Sequence, residues 1–249
     1  MRIPLCLLLV GAAVAAPLQA QDLATTCKAS SSYDVTVGAQ SLVFDRADPL
    51  PHRVELRDGS LVADGAAVRL SAADQDRISL FERQLRALVP RVKAVAANGV
   101  DMAAKAVREE AASVSPQAAS AGELDNALRS RVAELKQRIA ASNSTHDWQG
   151  DAFDRYANQI ASDILPIVAN DIGQQAVQMA MDGDLAGASA LKDRMSSLST
   201  GGQARIMQRM QALRPQIQAL CPSIRQLAEL QDGIRGADGQ PLNLVHIDN

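Results

Sequence analysis

The chain of 249 residues has few aromatic side chains, few histidines and almost no net charge. Three Phe, two Tyr and one Trp are its only aromatic residues, and its formal charge is −3. This near-neutral balance argues against a nucleic-acid-binding protein, which normally presents a basic face. Because rings are scarce and Ala is abundant, we expect a core built mainly from helices that pack through small aliphatic side chains.

The sequence motifs of common enzyme classes are also missing. There is no Gly-x-Ser-x-Gly elbow, no His-Glu-x-x-His pair, no phosphate-binding loop, no dinucleotide fingerprint and no Cys-x-x-Cys. His52, His146 and His246 are far apart in the chain. We therefore predict no catalytic residue, no metal site and no cofactor.

One stretch of the chain is nevertheless chemically unusual. His146, Asp147, Trp148 and Asp151 stand together, and they are our candidate binding residues for a metal or a sugar. If the protein were a metal-dependent or hydrolytic enzyme, its site would lie in this stretch. The alternative is a structural loop whose Trp packs and whose Asp caps the following helix.

The only long apolar run stands at the start of the chain. Arg2 precedes an apolar run from Ile3 to Ala16, and the small Ala20 precedes the polar Gln21. This is the pattern of a signal peptide, so we expect residues 1–20 to be removed by cleavage between Ala20 and Gln21. An uncleaved anchor is the alternative, although a membrane-spanning helix needs roughly 20 apolar residues. We expect an exported protein, periplasmic or else secreted, with no transmembrane segment after cleavage.

Cleavage would also remove Cys6 and leave two cysteines, Cys27 and Cys221. In an oxidising compartment, two cysteines most simply form one disulfide. A metal site at these cysteines would need His residues close by in the sequence. We therefore predict a bridge that ties the N-terminal region to a late helix.

The pattern of apolar residues changes once along the chain, near Ser71. Before it, apolar and polar residues alternate in short runs, and Asp58-Gly59 and Asp64-Gly65 mark hairpin turns. After it, apolar residues recur with helical spacing. We predict an α+β fold: a small N-terminal antiparallel β-meander over residues 21–70, followed by a predominantly α-helical body over residues 71–235 that packs with it as one domain. The tail, residues 236–249, would either add an edge strand or fray.

Apolar seams predict four helical stretches in the body, over residues 71–113, 122–142, 151–181 and 206–227. Asn98-Gly99 could break the first of them. Pro166 is expected to bend or divide the third helix near Ile164-Leu165, and Pro215 and Pro222 to bend or interrupt the last.

Charge is unevenly distributed over this body. Residues 145–184 are strongly acidic, and residues 185–235 are basic. The two segments could attract each other within the fold, with the remaining charges solvated. The functional alternatives are an acidic surface for a cationic partner or Ca²⁺, and a basic last helix that associates with a membrane surface.

Taken together, these features resemble the YggN-like proteins of the Gram-negative envelope, a family of unknown function. The resemblance rests on the signal peptide followed by Cys27, on Asp34-Val35, on Asp58-Gly59 and Asp64-Gly65, on Val68 and Leu70 leading into Ala72-Ala73-Asp74-Gln75, and on the late Cys221. It implies a periplasmic location and a link between Cys27 and Cys221, and it supplies no catalytic residues.

The function predicted from the sequence is a non-enzymatic interaction or binding module of the envelope. Its partner would be an envelope protein or a lipid, and not a nucleic acid. An enzyme with its site near His146 and a helical protein associated with a membrane surface are the two alternatives.

Overall fold

In the computed structural model, residues 25–120, 122–148, 151–236 and 239–248 are described. The predicted signal peptide, the Ala20–Gln21 junction and Cys6 lie outside the described residues. The chain divides into two compact units. The described part of the helical unit consists of residues 97–120, 122–139 and 151–212, and that of the mixed unit of residues 25–96, 140–148, 213–236 and 239–248.

Short strands form two antiparallel sheets in the mixed unit. They are β1 (Ala29–Ser30), β2 (Asp34–Val37), β3 (Leu42–Asp45), β4 (Arg53–Arg57), β5 (Ser60–Ala63), β6 (Ala66–Ala67) and β7 (His246–Ile247). Strands β2 to β6 form one five-stranded sheet in chain order, and β1 pairs with β7 in a second sheet. The predicted α+β class, with an N-terminal antiparallel sheet followed by a mostly helical body, is confirmed.

The sequence explains both the turns and the buried face of the larger sheet. Asp58 and Gly59 have φ values of 48° and 78°, and Asp64 and Gly65 have φ values of 46° and 81°. Two successive positive φ angles match the right-handed twist of a two-residue hairpin, and Asp-Gly tolerates them well. One face of the sheet is fully buried because apolar residues alternate along the strands; its members are Leu42, Phe44, Val54, Leu56, Leu61 and Ala63.

Seven helices follow one another in the described body. They are α1 (Ala72–Val114), α2 (Pro116–Ser120), α3 (Glu123–Ala141), α4 (Asp151–Asp182), α5 (Leu185–Met210), α6 (Arg214–Gln218) and α7 (Cys221–Gln231). Single 3-10 turns, Thr145–Trp148 and Gln211–Leu213, precede α4 and α6. The predicted long first helix is confirmed, and the break that Asn98-Gly99 could have caused is absent, because one Gly costs a helix interior only about 1 kcal/mol.

The prolines of the last helical stretch start new helices. The expected interruption of the stretch over residues 206–227 is confirmed, since α5 ends at Met210 and two shorter helices follow. Pro215 and Pro222 each occupy the first turn of one of them. A first-turn proline is tolerated because its missing N–H would have no partner within the helix. By contrast, α4 continues through Pro166 as one helix, so it is not divided near Ile164-Leu165, and the bend expected there as the alternative stays a prediction.

The predicted disulfide between Cys27 and Cys221 is present and links residues 194 positions apart. Cys221 is the first residue of α7, so the bond joins the segment before β1 to this late helix. Beside it, β1 and β7 pair antiparallel, with Ala29 opposite Ile247 and Ser30 opposite His246. Both ends of the mixed unit are therefore fastened in one place.

The tail is part of the core of the mixed unit. Leu242 and Leu244 are 1% and 0% exposed. The buried Gln231, the last residue of α7, accepts hydrogen bonds at Oε1 from the backbone N of Leu244 (2.7 Å) and of Val245 (3.1 Å). Gln231 thus supplies the acceptor for two backbone N–H groups that are not paired in a strand. A buried N–H needs such a partner.

We expect Gln231→Ala to lower the free energy of unfolding of the mixed unit by about 1–3 kcal/mol, because it leaves the buried Leu244 N–H without its acceptor. Gln226→Ala is the matched control, since Gln226 is exposed on the same helix and should cost less than about 0.5 kcal/mol. Urea unfolding followed by Trp148 fluorescence measures both variants. Equal midpoints for the two variants would show that Gln231 does not hold the tail.

Candidate functional site

The sequence candidate around His146 lies at one edge of the five-stranded sheet. Residues 143–145 run beside β2, where the backbone N of Val37 donates to the carbonyl of Asn143 (2.8 Å) and that of Val35 to Thr145 Oγ1 (2.9 Å). Thr36 and Ser144 form an isolated bridge in the same register. This segment covers an edge strand that would otherwise offer unpaired backbone groups.

The described side chains of the candidate site, those of His146, Asp147 and Trp148, each have a hydrogen-bond partner in the mixed unit. His146 Nδ1 lies 3.2 Å from Asp34 Oδ2, and the His146 side chain is 79% exposed. Ser142 Oγ donates to Asp147 Oδ2 and accepts from Trp148 Nε1, both at 2.9 Å. Asp147 and Trp148 thus share a partner that His146 does not use. The side chain of Asp151 lies outside the described residues, so the four-residue site stays a prediction.

In the described ranges, no set of three or more His, Cys, Asp and Glu side chains is placed to hold a metal ion. Sequence reasoning missed Asp34 as the partner of His146, because 112 positions separate the two residues and no local pattern links them.

A second candidate lies in the helical unit, where α1 and α3 form a groove of about 530 Å³ that we call the α1–α3 groove. It is lined by Asp101, Ala104, Lys105, Arg108 and Glu109 of α1 and by Leu128, Arg129, Val132, Ala133 and Lys136 of α3. Within each helix the lining residues recur every three or four positions, so they share one face.

Ion pairs mark the two ends of the groove. Lys136 Nζ lies 2.6 Å from Asp101 Oδ2, and Arg108 Nε lies 2.5 Å from Asp125 Oδ1. Asp101 is the first groove residue of α1 and Lys136 the last of α3, so the two helices run antiparallel along the groove. The floor between these pairs is apolar and includes the buried Leu128 and the half-buried Val132.

The rim of the groove has a positive excess. Lys105, Arg108, Arg129 and Lys136 stand against Asp101 and Glu109 in the lining and Asp125 at one end, which leaves an excess of one positive charge. The Lys105 side chain is 75% exposed, and its ammonium is 3.9 Å from Glu109, so most of its surface is open to a ligand. The groove can therefore take a ligand that presents an apolar face and carboxylates.

Charged hydrogen bonds fasten both walls of the groove to neighbouring helices. Arg205 of α5 donates through Nε to the buried carboxylate of Glu110 (2.9 Å), and Arg209 pairs with Glu109 (3.0 Å). The hydrogen bond to Glu110 raises the pKa of the Arg205 guanidinium above its ordinary value, against a smaller opposing effect of desolvation. The ion pairs of Arg205 and Arg209 with Glu110 and Glu109 therefore join α5 to α1.

The other wall is held in the same way. Arg131 of α3 donates through Nε to Asp163 of α4 (2.7 Å) and through a terminal nitrogen to Glu134 (2.5 Å). The hydrogen bond to Glu134 raises the pKa of the Arg131 guanidinium, and the bond to Asp163 raises it further. Because both walls are fixed before a ligand arrives, little ordering cost remains for binding.

The chain belongs to the family described as Protein of unknown function (DUF2884), whose model matches residues 27–244. The match begins at the first disulfide cysteine and ends at the buried Leu244 of the tail. It therefore spans the five-stranded sheet, the described helices and the buried part of the tail, and it stops before β7. Neither a curated protein nor a solved structure matches the chain.

These findings confirm the expected membership of a family of unknown function. The YggN-like assignment and the periplasmic location stay predictions. Within the described ranges, no helix combines the length and apolar character that crossing a membrane requires.

Proposed function

We propose that this chain is an exported, non-enzymatic binding module that holds an acidic amphipathic helix of a partner protein in the α1–α3 groove. The observation that carries the proposal is the apolar floor of this groove beneath a rim with excess positive charge. An amphipathic helix laid in a groove buries its apolar face and leaves its charged side chains at the rim. Glu or Asp side chains of the partner would then meet Lys105 and Arg129, since Arg108 is already paired with Asp125.

The charges at the rim favour a protein segment over an anionic lipid surface. Asp101 and Glu109 stand among the cations, so a dense array of phosphates would meet repulsion at these two points. A helix can match such a mixed pattern by placing basic and acidic side chains at chosen positions. Specificity would therefore come from the order of charges along the rim, and affinity mainly from contacts with the apolar floor.

Export is supported by the signal-peptide pattern of residues 1–20 and by the disulfide. Disulfides persist in the periplasm and outside the cell and are rare in the reducing cytosol. The periplasm is the compartment we propose. An enzyme site at His146 and a membrane-surface role gain no support from the described geometry and stay alternatives.

Fluorescence anisotropy with a designed helical peptide tests the proposal. The probe carries Leu along one face and Glu elsewhere, and its control replaces every Glu by Lys. We expect the Glu peptide to bind saturably, the Lys peptide to bind much more weakly, and salt to weaken the binding of the Glu peptide. Equal binding of both peptides, or of neither, would contradict the proposal.

A pair of matched variants places the binding in the groove. Val132→Glu puts a carboxylate on the floor and should weaken binding of the Glu peptide by about tenfold or more. Gln137→Glu adds the same charge to the exposed part of α3 outside the groove and should change affinity little. Circular dichroism melting of both variants checks that the fold is retained.

A further inference from the structure

Large exposed apolar side chains of the described residues are concentrated in one place. Val177, Met181 and Leu185 are 60%, 77% and 84% exposed, and Leu50, in a loop of the mixed unit, is the only other large apolar side chain as exposed in the described ranges. Single exposed apolar residues are ordinary, whereas a cluster of them marks an interaction surface. We call these three residues with the intervening turn the α4–α5 tip.

The local structure presents this cluster outward. Val177 and Met181 lie one turn apart on the same face of α4, and Leu185 is the first residue of α5. Gly183, with φ 65°, ends α4, and the Asp184 carboxylate caps α5 by accepting from Gly187 N at 2.8 Å. The tip is thus a defined turn and not a loose loop.

The charge of the tip is negative. Asp182 and Asp184 flank Gly183, and no Lys or Arg occurs in the sequence from Asp171 to Leu191. The tip therefore combines an apolar surface with carboxylates, which is the chemistry that the α1–α3 groove accepts. Among the side chains that the structure describes, no other helix end exposes large apolar residues.

We infer that the α4–α5 tip of one copy docks in the α1–α3 groove of a second copy. Met181 and Leu185 would rest on the floor at Leu128 and Val132, with Asp182 and Asp184 facing Lys105 and Arg129. Tip and groove are different surfaces, so the contact is head-to-tail and each copy can bind one neighbour on each side. This inference rests on the proposed function, since self-association and the partner helix would use the same groove.

Sedimentation velocity of the purified protein over a range of concentrations tests the inference. We expect species larger than a monomer to grow with concentration and to shrink when the acidic peptide is added. Met181→Glu on the tip and Val132→Glu in the groove should each lower self-association by about tenfold or more. Ala176→Glu is the matched control, because it adds the same charge at an exposed position about 100° around α4 from Val177.

An equimolar mixture of the two disabled variants gives the most specific result. The Met181→Glu copy keeps a working groove, and the Val132→Glu copy keeps a working tip. Their mixture should form one-to-one dimers and nothing larger, because the dimer has no working surface left.

Wild-type protein that stays monomeric at every concentration, or a Val132→Glu variant that self-associates as wild type does, would overturn the inference. If the monomeric protein still binds the acidic peptide, the proposed function stands without the self-association. If it binds no peptide, both fail.

Discussion

The double variant Cys27→Ala with Cys221→Ala should lose about 2–5 kcal/mol of the free energy of unfolding, the largest effect we expect. The bond closes a loop between residues 194 positions apart. In the loop-entropy model, removing it from the unfolded chain restores freedom worth about 5 kcal/mol, and native-state effects reduce that figure in practice. The bond also fastens α7 beside the β1–β7 sheet, so its loss should loosen the tail.

Urea unfolding with and without reductant measures this effect. Trp148 is the only Trp of the chain and lies in the mixed unit, so its fluorescence reports on the unit that holds both cysteines. Reductant should shift the midpoint of the wild-type protein towards that of the double variant and leave the variant unchanged. A wild-type midpoint that reductant does not move would contradict a stabilising role for the bond.

The substitution Gly59→Ala should cost about 2–4 kcal/mol, whereas Gly65→Ala should cost only about 1 kcal/mol. Both glycines follow Asp in a hairpin turn and have φ near +80°, so an L-side chain meets a similar backbone penalty at each. Only Gly59 lies against α1. A Cβ there would be 2.8 Å from the Gln75 carbonyl oxygen and 2.5 Å from Ser79 Oγ, while a Cβ at Gly65 would meet nothing within 4 Å.

The same hairpin is held from the helix by a buried acid. Glu82 of α1 is 6% exposed and accepts from the backbone N of Gly59 (2.9 Å) and of Asp58 (3.3 Å). If the hairpin moved away from α1 to relieve the clash of an added Cβ at Gly59, the two hydrogen bonds to Glu82 would lengthen or break. Thermal unfolding of the two Ala variants gives the comparison, and equal losses of stability would show that the hairpin does not press on α1.

Local patterns in the sequence predicted the elements whose cause is local. The Asp-Gly pairs fixed two hairpin turns because positive φ is a property of those residues themselves. The helical seams located α1 and α3 because burial follows the helical period. The disulfide could be predicted because only two cysteines, Cys27 and Cys221, follow the apolar run at the start of the sequence.

Features that depend on distant partners could not be predicted in this way. Gln231 looks like an ordinary surface residue of a helix, yet it is buried because the tail returns 13 positions later and needs an acceptor. The residues of the α1–α3 groove look like two solvated helix faces until α1 and α3 are placed side by side. Periodicity tells which face of a helix is apolar, and it does not tell what that face meets.

The prolines show a third limit. Pro215 and Pro222 fall within an apolar seam that continues unbroken through three short helical segments. The seam is preserved because each new helix buries the apolar residues that continue it, although the backbone hydrogen bonds of a single helix are interrupted. A pattern of buried positions therefore cannot separate one bent helix from several short ones.

Nuclear magnetic resonance of the isotope-labelled protein, titrated with the acidic amphipathic peptide, tests the central claim most directly. If the α1–α3 groove is the binding site, the backbone amides of residues 101–109 and 128–136 will shift on binding, and those around Asp34 and His146 will not. Shifts confined to the His146 edge of the sheet, or no shifts at a saturating peptide concentration, would contradict the account.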